Sequence, residues 1–426
     1  MLISFLFEFS LIVNLLSFFQ DYVTWIHNLT FWQFIGIISF VFVDLFRNLG
    51  KPIVLFIHHL FRKIHPIRFQ SIEKAQIKIS ILVPAHNEGA SIKKTIESLL
   101  DNTYPDKEII VIDDHSTDDT FQQAYPYYKS GKIKLVKRTE GSKGSKSGAS
   151  NFGAVFASGD VILVMDGDIL LERNALSEVA KYMTVQDIVA VAGNVRILSG
   201  DRGVKNLLTK CQSYEYLIAF ELGRRIRLMM RILVIIPGPF GAFRKGTISK
   251  VGFFDKDTIT EDFDLGIKIF KTKGRVEFVP KAIAQTYCPN NWGEWIRQRV
   301  RWSHGQFATL LKHKDSVTGR TTYPLLFILG ILDMMFMDIV LLFVRMISLA
   351  YIFLQNSIIY PMIFIMMIYF VNEIIVIITA GLFSPNKNDL KYVYLAPVMI
   401  FLYRPLYSCV RFYAYFMSMF KKEIRW

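Results

Sequence analysis

The sequence predicts an α/β domain, with a mostly parallel sheet and helices on both faces, inserted between α-helical segments that cross a membrane. Three observations predict this architecture. Of 426 residues, 52% are hydrophobic and only 20% are charged, whereas soluble domains have about 45–50% apolar and about 25% charged residues. The apolar residues concentrate at the two ends of the chain. Between those ends, strand and helix patterns alternate. The composition excludes a purely soluble enzyme and a disordered chain.

The alternation begins with a β-branched run and continues through the central block. Lys78–Val83 predicts a strand ended by Pro84, and apolar residues recur at helical spacing through Ile92–Leu100. Later segments repeat the alternation, with strands at Glu108–Ile112, Lys132–Val136 and Val161–Met165 and a helix at Ser147–Ser158. Ligands of such sheets bind beyond the carboxyl ends of the strands. The acidic residues that follow these strands are therefore predicted site residues.

A membrane span needs about 20 mostly apolar residues. The candidate spans are Leu2–Phe19, Phe31–Phe61, Leu325–Leu354, Ile358–Phe383 and Leu395–Phe420. The first is marginal and is compatible with an interfacial helix. Basic residues after the second favour the cytoplasmic side for the central block. Five spans would place the basic tail outside, against the same rule, so the first stretch or one C-terminal stretch need not cross.

These patterns divide the chain into four predicted parts. They are two N-terminal transmembrane helices in 1–61, a cytosolic domain in 70–290, interface helices in 291–322 and about three transmembrane helices in 323–420. Gly203–Arg231 predicts an amphipathic interface helix, although a core-facing helix has the same pattern. Asp315–Thr322 is compatible with a gating loop or a plain linker. We expect a multi-pass protein of the plasma membrane.

The charge balance limits the classes of partner that we expect, and the cysteines limit the kinds of disulfide or metal site. Fifty Lys and Arg against 36 Asp and Glu give a net charge of +14. On so apolar a chain, this charge favours membrane lipids with anionic head groups or a phosphorylated substrate, and we expect no nucleic-acid partner. The three cysteines are widely spaced and form no C-x-x-C motif, so neither a disulfide framework nor a zinc site is predicted.

Two acidic motifs follow predicted strands. In Asp166-Gly167-Asp168, two carboxylates at a strand end could jointly hold a hard divalent cation that bridges a diphosphate; a polar turn is the alternative. Asp113-Asp114 could accept hydrogen bonds from a base or a ribose, or could cap the next helix. The basic, glycine-containing segment Lys137–Gly148 could approach an anion or form a surface loop, and it lacks the Walker A spacing.

Two further motifs lie in the second half of the central block. Thr260–Asp264 places acids before a predicted helix, where one carboxylate could act as a general base, or where the acids could interact with the helix dipole. Gln298–Trp302 offers an arginine for a phosphate and a tryptophan for stacking on a sugar. A basic and aromatic helix at the membrane interface has the same composition.

Five motifs occur in one order along the chain: Pro84-Ala85-His86-Asn87-Glu88, Asp113-Asp114, Asp166-Gly167-Asp168, Thr260-Glu261-Asp262 and Gln298-x-x-Arg301-Trp302. Together they resemble the family 2 processive glycosyltransferases, the membrane synthases of cellulose, chitin, hyaluronan and poly-N-acetylglucosamine. The resemblance covers residues 78–312, and the flanking apolar segments match the architecture of that family.

The resemblance implies a GT-A catalytic domain and a role for each motif. For the nucleotide it implies His86, Glu88, Asp113, Asp114 and Lys146; for the diphosphate, Asp166, Asp168, Gln298 and Arg301; and for Mg²⁺ or Mn²⁺, Asp168 with Asp166. Asp262, beside Glu261, would be the general base. Trp302, Pro239 and Phe240 would lie beside the acceptor. His86 stands where the family usually has tyrosine, which puts stacking on uracil in question.

The activity implied is processive, inverting transfer of a sugar from a UDP-sugar donor to a growing β-linked polysaccharide, which is exported through the spans. UDP-N-acetylglucosamine is the first donor expected. The alternative is a membrane transferase that adds a single sugar to a lipid acceptor, but the Gln-x-x-Arg-Trp motif favours polymerisation. A transporter with a sensor domain would leave the carboxylates unexplained. Control is expected from a separate accessory subunit or from none.

Overall fold

The computed structural model describes residues 2–31, 49–61, 63–64, 66–67, 69–70, 76–140, 145–198, 206–316, 325–353 and 359–420. Several of the sequence predictions fall partly outside these ranges, two of them for the most part. Most of the predicted span Phe31–Phe61 lies in 32–48, and most of the predicted gating loop lies in 317–324.

The centre of the described chain is one eight-stranded sheet. Its strands are β1 (Ile79–Ala85), β2 (Lys107–Asp114), β3 (Lys134–Arg138), β4 (Val161–Val164), β5 (Leu170–Leu171), β6 (Ile188–Ile197), β7 (Gly241–Arg244) and β8 (Arg275–Thr286). They lie in the order β3-β2-β1-β4-β7-β6-β8-β5. Neighbours from β3 to β4 are parallel, as predicted. Strands β7 and β5 are antiparallel to their neighbours, so the sheet is mixed.

The sequence predicts that the first strand ends at Pro84. In the structure, β1 continues one residue further, to Ala85. Strand β1 pairs with β4 only as far as Leu82, whereas its pairing with β2 continues to Ala85. Pro84 lies two residues beyond Leu82, so its nitrogen faces the side where the β4 pairing has already ended. The missing N–H of proline therefore costs no ladder hydrogen bond.

Helices cover the sheet and continue into the apolar C-terminal region. They are α1 (Leu2–His27), α2 (Leu49–Phe61), α3 (Ile92–Leu100), α4 (Thr120–Lys129), α5 (Lys146–Ala154), α6 (Ala175–Met183), α7 (Leu207–Leu217), α8 (Arg225–Met229), α9 (Lys245–Lys250), α10 (Glu261–Lys271), α11 (Trp292–Lys312), α12 (Leu325–Phe353), α13 (Ile359–Phe383), α14 (Ala396–Val398) and α15 (Arg404–Met419). A π-helical segment, Ile218–Arg224, joins α7 to α8, and a second, Met399–Tyr403, precedes α15.

Three helical segments in the described ranges are long and apolar enough to cross a membrane: Leu325–Val344, Met362–Phe383 and Lys387–Met419. They coincide with the three C-terminal spans predicted from the sequence. Helix α2 is apolar but shorter. The two N-terminal spans therefore stay a prediction.

The predicted interface helix packs its apolar side against these C-terminal helices. Cys211, Tyr214 and Leu217 of α7 are buried in one cluster with Trp295 of α11 and Tyr403. Charged side chains of the C-terminal helices form two ion pairs. Arg411 Nη1 lies 2.9 Å from an oxygen of Asp338, and Arg404 binds Glu373. The sheet domain and the C-terminal helices thus share a packed junction.

Candidate active site

Two buried aspartates end β2 at the carboxyl edge of the sheet. Asp113 and Asp114 are 1% and 2% exposed. The register of β2 and β3 places Asp114 beside Arg138, whose Nε donates a 2.9 Å hydrogen bond to Asp114 Oδ1. Asp113 Oδ2 and Asp114 Oδ2 are buried without a hydrogen-bond partner. Such atoms call for a donor, and the N–H or O–H groups of a bound nucleotide would supply one.

The loops that follow β1 and β2 are fastened to each other at this point. His86 Nδ1 lies 2.6 Å from the carbonyl oxygen of Asp114, Nε2 lies 3.3 Å from Asn87 Nδ2, and the residue is exposed. Asn87 and His115 have positive φ angles of 57° and 59°, a left-handed conformation that non-glycine residues seldom adopt. Asn87 N donates to Ser116 Oγ over 3.1 Å. The motif residues His86 and Asp114, separate in sequence, therefore meet.

Glu88 lies between the residues that follow β1 and β2 and the Asp-Gly-Asp motif that follows β4. A Cβ atom on Gly167 would lie 3.0 Å from Glu88 Cγ, so the absence of a side chain at 167 permits the close approach. Burial raises the pKa of Glu88, and the negative charge of Asp166 adds to this effect, against a hydrogen bond from Ser91. The carboxylate is thus close enough to respond electrostatically to the motif.

Asp166 and Asp168 follow β4, where the sequence placed them. Burial, with the negative charges of Asp166 and Glu88, raises the pKa of Asp168 to about 7. In the described ranges no three His, Cys, Asp or Glu side chains converge on one point. Mg²⁺ is commonly held by one or two carboxylates together with substrate phosphates and water. Asp166 and Asp168 supply two carboxylates but no complete set of protein ligands, which fits a cation bound in this way.

Lys146 lies between the Asp-Gly-Asp motif and the acids of α10. It is the first residue of α5, whose N-cap Ser145 accepts a hydrogen bond from Gly148 N. Its ammonium group forms an ion pair with Asp166 and lies 3.4 Å from Glu261 Oε1. Burial opposes the charge, but Asp166 and Glu261 outweigh it and raise the pKa of Lys146. A diphosphate bound here would meet a fixed positive charge.

Glu261 and Asp262 occupy the first turn of α10, so they lie inside the helix and not before it. Asp262 Oδ1 accepts a hydrogen bond of 2.8 Å from Phe263 N, and Oδ2 accepts one of 3.3 Å from Gly238 N. Burial raises the pKa of both carboxyl groups, while Lys146 opposes the rise. A buried carboxylate with a raised pKa is a stronger base, which suits proton removal from a hydroxyl.

A cavity of about 910 Å³ connects these groups with the third part of the predicted site. Gln298, Arg301 and Trp302 of α11 line it, as do Asp166 and Asp262. The cavity continues between the C-terminal helices, where Asp338, Tyr403, Arg404, Tyr407 and Arg411 form its wall. The predicted site residues Asp166, Asp262, Gln298, Arg301 and Trp302 therefore line one cavity.

The two residues predicted beside the acceptor have different positions. Pro239 lines the cavity. Phe240 lies in the core, 1% exposed, with its ring so close to Gly193 that a Cβ there would clash at 1.9 Å. Both residues lie in the turn before β7, where the carbonyl oxygen of Phe240 accepts a 3.1 Å hydrogen bond from Gly193 N of β6; the local sequence pattern did not separate them because this contact comes from a distant strand.

Sequence reasoning missed two arginines at the site. Arg138 was only one of several basic residues in a segment that could approach an anion or form a surface loop, and the parallel register that brings it to Asp114 is not visible locally. Arg224 was grouped with the basic residues of an interface helix. It lines the cavity, with its guanidinium 4.2 Å from the Phe220 ring. Burial and the nearby Arg227 lower the pKa of Arg224 to about 9.

Residues 80–252 match the family described as "Glycosyl transferase family 2". This part of the chain is a family 2 glycosyltransferase domain. The resemblance recognised from the five motifs is therefore confirmed. A mannosyltransferase from Pyrobaculum calidifontis has a similar fold, with a TM-score of 0.61 and 16% identity, covering 91% of this chain and 100% of that one. The GT-A fold is confirmed with it.

Two curated relatives extend the similarity beyond the matched domain. A probable glycosyltransferase of Bacillus subtilis, YdaM, is 33% identical over 244 residues, which are 55% of this chain and 56% of that protein. The poly-beta-1,6-N-acetyl-D-glucosamine synthase of Staphylococcus epidermidis is 29% identical over 277 residues, 64% of this chain and 65% of that protein. The chain thus spans between half and two thirds of the length of these relatives.

Proposed function

We propose that this glycosyltransferase takes N-acetylglucosamine from UDP-N-acetylglucosamine and adds it to a growing β-linked polysaccharide, which leaves through the membrane helices. The similarity to a poly-N-acetylglucosamine synthase supports this donor and product. The glycosyltransferase domain lies on the cytosolic side in this proposal, since the basic residues that follow the second apolar stretch favour that side.

The continuous cavity carries the proposal. A transferase that releases its product after one addition needs a donor site and an acceptor site. A synthase that keeps and exports its product also needs a passage. Here one cavity extends from Asp166 and Asp262 past Trp302 to Arg404 and Arg411 in the C-terminal helices. The two arginines are paired with Glu373 and Asp338, so the passage presents polar groups with balanced charge to a sugar chain.

The reaction we propose is a single displacement. Asp262 takes the proton from the acceptor hydroxyl, whose oxygen attacks the anomeric carbon of the donor sugar. The bond from that carbon to the diphosphate oxygen breaks, and UDP leaves with the bond electrons. Lys146, with Arg301, would stabilise the departing diphosphate. Asp114 would hold the nucleotide, and Trp302 would stack on the acceptor sugar. One inversion at the anomeric carbon gives a β linkage from an α-linked donor.

Asp168 and Asp166 would hold a divalent cation, Mg²⁺ or Mn²⁺. When bound, such a cation neutralises charge that develops on the leaving diphosphate. The mannosyltransferase of similar fold is described in complex with Mn²⁺ and GDP-mannose, which supports the assignment.

The test uses the full chain, purified in detergent, with either cation and a panel of radiolabelled UDP-sugars. Free UDP and labelled product are measured together, and product is separated by size. We expect long polymer from UDP-N-acetylglucosamine alone. Polymer that requires UDP-glucuronate as a second donor would contradict the single-sugar product. Short, lipid-soluble product would contradict polymer synthesis and indicate transfer of a single sugar to a lipid.

A further inference from the structure

Arg299 is a fully buried cation directly behind the cavity wall. Its side chain is 0% exposed, although it lies on α11 between two residues of the predicted site, Gln298 and Arg301. A charged group this deeply buried costs several kcal/mol unless it is paired and hydrogen-bonded. The contacts that offset this cost identify the side chains that Arg299 keeps in position.

Two of these contacts are with residues of the predicted site on the same helix. The Arg299 guanidinium carbon lies 4.3 Å from the centre of the Trp302 ring. Its Nη1 donates a 3.3 Å hydrogen bond to Gln298 Oε1. A planar guanidinium stacked on one face of an indole fixes the ring plane. The other face of Trp302 is then presented at a set angle.

Two further polar contacts join α11 to two other elements, and the guanidinium carbon also lies 5.5 Å from the ring centre of Tyr407 and 5.8 Å from that of Trp295. Arg299 Nη2 donates to Glu215 Oε2 of α7 over 2.7 Å and lies 3.5 Å from Tyr403 Oη. Tyr403 itself donates to Glu215 and accepts a 2.8 Å hydrogen bond from Trp295 Nε1. Glu215 and Tyr403 both line the cavity, at the junction between the glycosyltransferase domain and the membrane helices.

We propose that Arg299 is the positioning residue for the acceptor, setting Trp302 and Gln298 relative to Glu215 and Tyr403 so that the acceptor hydroxyl, and not water, meets the donor sugar. This inference rests on the proposed function, in which Trp302 stacks on the acceptor. Arg299 touches no substrate and acts through the side chains it holds. Its loss would leave the donor side, formed by Asp166, Asp168, Lys146 and Arg301, in place except for the single 3.3 Å hydrogen bond to Gln298.

The test compares sugar transfer with donor hydrolysis in the full-length protein. Each UDP released reports either a sugar added to product or a sugar lost to water. For Arg299→Gln we expect the transferred fraction to fall at least about tenfold, as the loss of one desolvated cation–π contact predicts. The KM for the donor should stay within about twofold of wild type. An unchanged transferred fraction, or an equal loss of donor affinity, would overturn the inference.

A matched control lies on the same helix. Arg297 is two residues away and exposed. Arg297→Gln removes the same charge from α11 and should leave the transferred fraction and the KM within about twofold of wild type, as surface substitutions do. A tenfold loss in this control as well would attribute the effect to helix charge and overturn the role of Arg299.

A double variant separates positioning from stability. Arg299→Gln alone leaves Glu215 without its cation, so the melting temperature should fall. Combining it with Glu215→Gln removes both charges, and stability should recover. The transferred fraction should stay low, because Trp302 and Gln298 still lack the guanidinium. Recovery of both quantities together would overturn the inference. Wild-type protein that makes only short product would instead contradict the polymer proposal, and the transferred fraction would still test Arg299.

Discussion

The two edges of the sheet hold carboxylates in opposite electrostatic environments. At the amino-terminal edge, Glu108 at the start of β2 accepts hydrogen bonds from Ser80, Lys134 and from both the N–H and the hydroxyl of Ser158. Burial would raise its pKa, but these donors outweigh burial and lower it to about 2. At the carboxyl edge, Asp168 has a pKa raised to about 7 by burial and by its acidic neighbours.

The difference distinguishes a structural acid from the acids that are predicted to be functional. Each oxygen of Glu108 has a donor supplied by the fold, so the charge is satisfied and nothing more can bind. Asp166, Asp168, Glu261 and Asp262 share one lysine, Lys146. The fold therefore maintains an excess of negative charge at one edge, which a cation and the groups of a substrate would relieve. Perturbed carboxylates of this kind are concentrated at functional sites.

The largest effect is expected at Asp262. Asp262→Asn keeps the size of the side chain but cannot accept the acceptor proton. We expect transfer to fall by about 10²–10⁴-fold, the usual contribution of a general base. UDP affinity, measured by calorimetry, should be unchanged, since Asp114 and its neighbours remain. Near-normal transfer would show that another group takes the proton.

A smaller effect is expected at Asp168. Asp168→Asn leaves one carboxylate for the cation, and Mn²⁺ affinity in the presence of UDP should fall about 10–100-fold, in the range for removal of a residue that supports a metal. Electron paramagnetic resonance of free Mn²⁺ measures this directly. Glu108→Gln is the control, because it removes a carboxylate charge from the other edge. Equal losses in both variants would mean that overall charge, and not the motif, attracts the cation.

A glycine in α10, the helix that carries Asp262, allows us to test whether the position of this helix matters for transfer. A Cβ on Gly266 of α10 would lie 1.7 Å from the carbonyl oxygen of Val234. Gly266→Ala must therefore displace α10, and we expect about 1–3 kcal/mol of destabilisation, together with reduced transfer. Gly246→Ala in α9 is the matched control, because its Cβ would have nothing within 4 Å. Normal transfer by the Gly266 variant would show that the position of Asp262 tolerates movement of α10.

The sequence alone predicted the acids of the carboxyl edge, because strands and the residues at their ends are local patterns. It predicted Asp113 and Asp166 as site residues for this reason, whereas Asp262 was predicted as the general base from the resemblance to the glycosyltransferase motifs. The three arginines 138, 224 and 299 were missed, since each gains its role from a partner on another element. Phe240 was predicted beside the acceptor but is buried for a related reason: its backbone and its ring both contact Gly193 of β6, which is distant in sequence.

The smallest effect is expected at the structural acid. Glu108→Gln removes a charge that accepts hydrogen bonds, and we expect about 1–2 kcal/mol of destabilisation at pH 7, discounted because Lys134 is half-exposed. The pKa of Glu108 is lower in the folded protein than its ordinary 4.5. Its contribution is therefore fully present above pH 4.5 and is lost as the pH falls toward 2.

Thermal unfolding in detergent should show that the gap in stability between wild type and variant narrows over that range, with kcat/KM at pH 7 unaltered. A gap that is constant with pH would mean that packing, and not charge, makes Glu108 stabilising. A loss of kcat/KM would mean that the two edges of the sheet do not divide structure from function.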